Sequence, residues 1–208
     1  MESYKVPFYK HELSRDALQN NHEQDYSEII DLLQSKAIIE LIENNKLTLG
    51  MIKPTVGPDA NKLGYADSEA SDEIETRIAG LGILAKFSFV FDPEGADSFY
   101  EEPAKSMISV PPLTSATFPN RWEEYKALML SGPATVLLLH GDDAIQQWRS
   151  HLGHWNIVEN HDPNTIRGSL GVNNHNNLVH GSDSMESVAR EISIITKQLQ
   201  RHDSSKNN

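Results

Sequence analysis

The segment NTIRGSLGVNNHNNLVHGSDS, residues 164–184, connects a polar loop to the last predicted strand and helix of the sequence. Residues 154–177 are rich in Asn, Gly, His and Asp, which is typical of a long irregular loop, and such loops are usually functional. Residues 177–180 predict a short strand. A helix is predicted from 184 to 201, because four apolar residues share one helical face: Val188, Ile192, Ile195 and Leu199. His180 therefore lies where a strand gives way to a helix.

Upstream of this segment, strands and helices alternate. Apolar runs predict strands at 47–53, 83–91 and 134–139. Helical spacing or helix-favouring composition predicts helices at 71–81, 96–102, 122–130 and 142–152. A Pro- and Gly-containing loop is expected at 54–70, and a Pro, Ser and Thr-rich loop continues from the second helix to Pro119. The order predicts an α+β protein with one antiparallel sheet covered by helices, but the order alone does not name a fold.

The N-terminal part of the chain has a different pattern. Residues 1–24 are polar, without a sustained period, and are interpreted as a loosely ordered arm. From Asp25 apolar residues recur at helical spacing as far as Leu41, which predicts one amphipathic helix ending near Asn44. We therefore divide the chain into an N-terminal arm and helix (1–45), a main domain (46–201) and a disordered tail (202–208).

Composition limits the classes of function. The 208 residues include 18 Lys and Arg against 30 Asp and Glu, a formal net charge of −12. This charge argues against general nucleic-acid binding, which depends on many cations facing phosphates. The absence of cysteine excludes disulfides and thiolate metal sites. We find neither a secretory signal pattern nor an apolar run of membrane-spanning length. The expectation is a soluble cytoplasmic protein without membrane contact.

Two motifs in the quoted segment carry a family resemblance. NTIRG (164–168) followed by NLVHGSDS (177–184) resembles the active-site signature of nucleoside diphosphate kinases. MIKP at 51–54, SGP at 131–133 and the arginine of WRSHLG at 148–153 are similar to further family motifs, in the same order. The resemblance covers roughly 47–201. It implies a ferredoxin-like fold, phosphoryl transfer between nucleoside tri- and diphosphates, Mg²⁺ as cofactor and a homo-oligomer.

The resemblance also implies a covalent mechanism. It makes His180 the nucleophile that accepts the γ-phosphoryl group in ping-pong transfer, and Glu191 the carboxylate that orients its imidazole. The chemistry agrees, since a neutral imidazole nitrogen is available near pH 7 and phosphohistidine can pass its phosphoryl group to a second nucleotide. Without its neighbours, a single histidine after a strand would be interpreted as structural.

Further residues correspond to the family's nucleotide-binding positions. Three cations, Lys53, Arg149 and Arg167, match the cations that the family places around the phosphates. In phosphoryl transfer the protein mainly supplies positioning and fixed positive charge. By the same resemblance Asn177 contacts the sugar hydroxyl and Ser182 lies near the histidine. No metal ligand is assigned directly. Mg²⁺ is expected to arrive with the nucleotide, near Asp183.

The sequence departs from the family pattern at the nucleotide clamp. Trp155 stands where the family has a phosphate-contacting threonine, and extra residues occur at 55–70 and 103–117. Tyr100 and Trp122 are the candidates for the family's tyrosine and its base-stacking aromatic, although aromatics on short helices are more often core residues. Weak discrimination among bases is expected, because every polar residue assigned so far faces phosphate or sugar.

Two alternatives to an active enzyme remain open. The first is a nucleotide-binding regulatory module of the same fold with weak or no turnover, motivated by Trp155 and the extra residues. The second is a scaffold that works through residues 1–45. Retention of His180 together with Glu191 favours the enzyme, since a binding module would not need both.

Overall fold

The computed structural model describes residues 25–54, 67–113 and 116–206 and contains a four-stranded sheet. The strands are β1 (Leu47–Ile52), β2 (Gly82–Val90), β3 (Pro133–His140) and β4 (Val179–Gly181). Their order in the sheet is β2-β3-β1-β4, and each neighbouring pair is antiparallel. Each strand predicted from the sequence is present within a few residues. The α+β class and the ferredoxin-like arrangement expected from the sequence are confirmed.

Helices account for most of the remaining described residues. They are α1 (Ser27–Leu33), α2 (Lys36–Glu43), α3 (Asp67–Arg77), α4 (Pro93–Phe99), α5 (Glu101–Met107), α6 (Arg121–Met129), α7 (Ala144–Leu152), α8 (Ile166–Leu170) and α9 (Met185–Lys206). The last helix continues past the predicted end at Arg201, so residues 202–206 are helical and the tail prediction was wrong for them.

Helices cover both faces of the sheet, which explains why all six residues of β1 are buried. Leu49 and Met51 point into a core formed with α1, α2, α4, α6 and α9, whereas Ile52 belongs to a second core formed with α3, α7 and α8. A strand buried on both faces has a continuous apolar run in place of an alternating one.

The single helix predicted at 25–44 was wrong, because the segment forms two helices. The Ser35 hydroxyl accepts a hydrogen bond from the Ile38 amide (3.4 Å) and so starts α2 anew. The break changes the helical phase. Ile38 is buried and Ala37, which the uninterrupted period places on the core face, is exposed.

Three further helix predictions were wrong. The helix expected at 71–81 begins at Asp67 and ends at Arg77, in α3. The helix expected at 96–102 is two helices, α4 and α5, and the second runs through Met107 into the predicted loop. Pro103 is tolerated because it lies in the first turn of α5, where amide groups have no partner within the helix. The long loop contains α8, capped by the Thr165 hydroxyl, which accepts from the Gly168 amide (3.2 Å). Residues 55–66, most of the first expected insertion, lie outside the described part of the chain.

We expect removal of residues 1–45 to lower the melting temperature without removing the catalytic groups. Tyr26, Ile29, Leu33 and Ile38 are buried in the main core, and each such apolar side chain contributes about 1.5–3 kcal/mol. The Tyr26 hydroxyl also donates to the Ser88 carbonyl (3.0 Å) of the edge strand β2. The measurement is thermal melting, with oligomer size by light scattering, for a chain starting at Lys46.

A chain starting at Asp25 is the matched control, because it retains α1 and α2. Loss of phosphoenzyme formation in the shorter chain, with folding confirmed by circular dichroism, would contradict the purely structural assignment of residues 1–45. An unchanged melting temperature would contradict it as well.

Candidate active site

His180 lies in the middle of the short strand β4, opposite Met51 of β1. Leu178, the residue before β4, has a left-handed backbone (φ 71°), an unusual conformation for a bulky side chain. Position 181 requires glycine, because a Cβ there would lie 2.6 Å from the Trp148 indole nitrogen. The same indole nitrogen donates to the His180 carbonyl (3.3 Å). The short HG segment is therefore fixed by Trp148 of α7.

The His180 ring is held by a buried carboxylate and two aromatic rings. Its Nε2 lies 3.0 Å from Glu191 Oε2 in α9, and the Glu191 side chain is only 3% exposed. The Ser182 hydroxyl donates to the same carboxylate oxygen (2.7 Å), and Arg190 Nη2 lies 3.5 Å from the other oxygen. Phe99 and Tyr100 contact the imidazole edge to face, at centroid distances of 5.0 and 5.9 Å. His180 and Glu191, which are separated in sequence, are thus in direct contact in the structure.

Lys53 and Arg167 are cations buried near His180. Lys53 follows β1, is 5% exposed, and donates to Asn177 Oδ1 (2.6 Å) and to the His175 carbonyl (3.5 Å). Burial holds the pKa of Lys53 well below its ordinary value, and repulsion from Arg167 lowers it further. Burial likewise lowers the pKa of Arg167 to about 10. The site therefore carries positive charge that an anionic ligand would stabilise.

Arg167 is positioned by one carbonyl group of β4 and one at the end of α7. Its Nε and Nη2 donate to the Val179 carbonyl (3.2 and 3.0 Å), and its Nη1 donates to the Gly153 carbonyl (3.0 Å). Because three nitrogens of one guanidinium are engaged, the orientation of the cation is fixed.

Arg149 and Asp183 lie beside this buried pair at the surface. Arg149, on α7, is exposed, yet it is close enough to lower the pKa of both Arg167 and Asp183. A hydrogen bond from the Ser187 hydroxyl (2.6 Å) is the main cause of the lowered Asp183 pKa. In the described residues we find no cluster of three or more His, Asp or Glu side chains placed to hold a metal ion.

An open cavity of about 640 Å³ brings several predicted residues together. Its lining includes His180, Lys53, Arg167, Asn177 and Tyr100. The Asn177 side chain is occupied by protein contacts, since its oxygen accepts from Lys53 and its nitrogen donates to the carbonyls of Trp155 and Asn174 (3.2 Å each). Its contact with a sugar stays a prediction. Ser182 and Glu191 lie behind the histidine and do not line the cavity.

Trp122 does not line the cavity, so the structure does not support its predicted role as the stacking aromatic. It is 5% exposed and packs beside Tyr100 and Tyr125, at centroid distances of 6.4 and 6.1 Å. The helices α4 and α6 pack together and bury this face of α6. Trp155 is the tryptophan that lines the cavity, and it is 59% exposed.

Sequence reasoning missed several lining or supporting residues, among them Phe99, Arg121, Tyr125 and His175. Part of the predicted insertion at 103–117 also lines the cavity, through Pro103, Ser106, Met107 and Val110. Only the polar character of His175 and Arg121 gave any signal in the sequence. Their placement depends on how α5, α6 and the loop before β4 pack.

A family model described as nucleoside diphosphate kinase matches residues 46–200. The nucleoside diphosphate kinase of Rhodococcus erythropolis is 37% identical over 147 residues, covering 71% of this chain and 91% of that protein. The Listeria monocytogenes enzyme is 36% identical over 125 residues, covering 59% of this chain and 76% of its own. The solved Aquifex aeolicus nucleoside diphosphate kinase superposes with a TM-score of 0.53 at 29% identity, covering 72% of this chain and 94% of that one. The chain therefore belongs to the nucleoside diphosphate kinase family, a family of phosphotransferases.

Proposed function

We propose that the chain transfers the γ-phosphoryl group of a nucleoside triphosphate to a nucleoside diphosphate by a ping-pong mechanism through phosphohistidine at His180. The contact between His180 Nε2 and Glu191 Oε2 supports this most directly. Because Nε2 is engaged, Nδ1 is the ring nitrogen left to act as nucleophile, and the ring lines the cavity. The nucleophile, its orienting carboxylate and the phosphate-binding cations form one constellation.

In the first half-reaction the Nδ1 lone pair attacks the γ-phosphorus, and the bond to the oxygen bridging the β- and γ-phosphates breaks. The nucleoside diphosphate leaves with that electron pair. Glu191 accepts a hydrogen bond from Nε2–H and stabilises the positive charge that the ring gains. In the second half-reaction a terminal β-phosphate oxygen of another diphosphate attacks the same phosphorus, and the phosphorus–nitrogen bond breaks.

Lys53 and Arg167 stabilise the negative charge of the transferring group. Both are held in a site of low solvent exposure, where fixed charges act more strongly than in water and need no reorganisation during the reaction. Mg²⁺ bound to the nucleotide would neutralise phosphate charge. We expect this ion to arrive with the phosphates, near Asp183, because Mg²⁺ is usually held by one or two carboxylates together with substrate phosphates.

Incubation of the purified chain with γ-labelled ATP and Mg²⁺ tests the proposal. Labelled protein is expected, with a label that acid removes and alkali does not, as for a phosphorus–nitrogen bond. The label should pass to an added nucleoside diphosphate. A regulatory module of the same fold, the alternative that Trp155 motivates, would bind nucleotide without forming the labelled protein.

Nucleotide binding should be coupled to proton uptake through Lys53. The free protein holds the pKa of Lys53 well below 10.5, and a bound polyphosphate would raise it by supplying the missing counter-charge. Between these two pKa values the complex binds more protons than the free protein, so affinity falls as pH rises. Calorimetry in buffers of different ionisation enthalpy measures the uptake.

Lys53→Gln should remove this uptake, whereas Lys36→Gln, at an exposed ion pair on α2, should retain it. Equal uptake by the wild type and Lys53→Gln would show that another group takes up the proton. The Lys53 assignment would then be wrong.

Assembly and location stay predictions from the family resemblance and composition. We expect a homo-oligomer in the cytoplasm, without nucleic acid as partner. In the described residues, none of the helices has the length and apolar character needed to cross a membrane.

A further inference from the structure

The cavity extends from His180 toward a second group of residues. Ring contacts run in sequence from His180 to Tyr100 (5.9 Å), from Tyr100 to Tyr125 (5.0 Å) and from Tyr125 to His175 (5.7 Å). Lys53 lies beside Tyr125, 5.2 Å from the ring centroid. A nucleotide with its terminal phosphate at His180 would therefore extend past Lys53, which donates to the His175 carbonyl, and its base would lie toward the end marked by His175.

Arg121 lies at this second end of the cavity. It begins α6 and is close enough to His175 to help burial lower the pKa of that histidine. Its backbone amide donates to the Val110 carbonyl (2.8 Å), and its Nε donates to the Pro111 carbonyl (3.1 Å). In the described residues no hydrogen bond or ion pair occupies its two terminal nitrogens. A guanidinium with free donors thus lines the space expected to receive the base.

The wall around Arg121 is fixed by a buried carboxylate. Glu124 is 7% exposed, accepts from the Leu113 amide, and has one oxygen 3.5 Å from His175 Nδ1. Segment 108–113 and the loop before β4 are thereby connected to α6. A buried carboxylate held by several contacts fixes one geometry, so Arg121 is presented on a rigid support.

Two amide side chains nearby are already occupied. Asn174 donates to Asn156 Oδ1 (2.9 Å) and accepts from the Val158 amide (3.3 Å). Asn156 in turn donates to Glu159 Oε2 (2.9 Å). Asparagine is the side chain that best pairs with adenine's N6 and N7, and arginine is the one that best pairs with guanine's O6 and N7. The free donors therefore favour a base edge with acceptors only.

We propose that Arg121 makes the nucleotide site selective for 6-oxopurines, guanine and hypoxanthine, over adenine. This inference rests on the proposed function for where the phosphates lie. Arg121 donates to O6 and N7 of a 6-oxopurine, whereas adenine opposes it with the N6 amino group, another donor. The weak discrimination expected from the sequence depended on no polar residue being available to read a base, and Arg121 is such a residue.

Calorimetric titration of the full chain with GDP, IDP and ADP tests the proposal. GDP and IDP should both bind about tenfold or more tighter than ADP, as expected for one bidentate arginine contact. IDP keeps O6 and N7 but lacks the 2-amino group. Its binding therefore distinguishes recognition by Arg121 from recognition of the 2-amino group by a carboxylate such as Glu159. Equal affinities for GDP and ADP would overturn the proposal, as would tight binding of GDP alone.

Arg121→Met should lower GDP and IDP affinity to that of ADP. Since Arg121 also supports segment 108–113, a merely structural role would weaken all three nucleotides equally, and that result would overturn the proposal. Arg201→Met, in an exposed ion pair with Asp92, is the matched control and should leave the ratio unchanged. Phosphoenzyme formation, measured with γ-labelled GTP, is tested independently of the ratio of GDP to ADP affinity. A protein that labels but binds GDP and ADP equally contradicts only the selectivity, and one that prefers GDP without labelling contradicts only the proposed function.

Discussion

His180→Ala should abolish phosphoenzyme formation and nucleotide exchange while leaving the fold intact. The imidazole supplies the only bond through which the phosphoryl group is proposed to pass, so its loss cannot be offset by the remaining charges. The side chain is 19% exposed at the cavity and is not a member of either apolar core. Phosphoenzyme labelling, exchange kinetics and thermal melting of the variant and wild type measure the two effects separately.

His161→Ala is the matched control, because His161 is an exposed histidine in the loop before α8. It should label and melt as the wild type does. Substantial turnover in His180→Ala would remove His180 from the mechanism. Loss of the fold in that variant would instead mean that the ring is a structural element between Phe99 and Glu191.

Arg167→Ala is expected to lower kcat/KM by more than tenfold. Losing one charge-assisted contact to phosphate costs on the order of 1.5–3 kcal/mol. Lysine at this position should rescue incompletely, because one ammonium group cannot reproduce the contacts to the Val179 and Gly153 carbonyls and still face a phosphate. Steady-state kinetics with a fixed acceptor measure the loss, and wild-type kinetics in Arg167→Ala would contradict the assignment.

Arg149→Ala should also lower kcat/KM by more than tenfold, but without destabilising the fold. The side chain is exposed on α7, and its influence on Arg167 and Asp183 is electrostatic. Melting therefore distinguishes the two arginines, since Arg167→Ala removes three partly buried hydrogen bonds. Unchanged kinetics in Arg149→Ala would place this arginine on the ordinary surface.

The strands could be predicted from local sequence, and the family resemblance paired His180 with Glu191. β1 and β3 are continuous apolar runs between turn residues, and such runs form buried strands wherever helices cover both faces of a sheet. His180 lies in the short strand β4, and Glu191 lies on α9, the helix that follows it. The structure brings the two side chains into contact across the short connection between β4 and α9.

Helix boundaries and the base end of the cavity depended on contacts that are distant in sequence. Ser35 breaks the first helix because its hydroxyl caps α2, a local competition that the apolar period does not reveal. Trp122 and Arg121 are neighbours in sequence, yet one is buried against Tyr100 and the other lines the cavity.

The sequence by itself determined the family and the fold class, and it singled out His180, Glu191, Lys53 and Arg167 as the candidate site, because short motifs at strand ends and turns carry the resemblance. Only the tertiary structure decided which aromatic and polar side chains face the ligand. The packing of α4, α5 and α6 on each other sets that choice, and α6 is a short helix whose sequence carries no clear apolar face from which its orientation could be predicted. A rotation of one residue along α6 would exchange Arg121 for Trp122 at the cavity, and long-range packing of the helix determines which of the two is there.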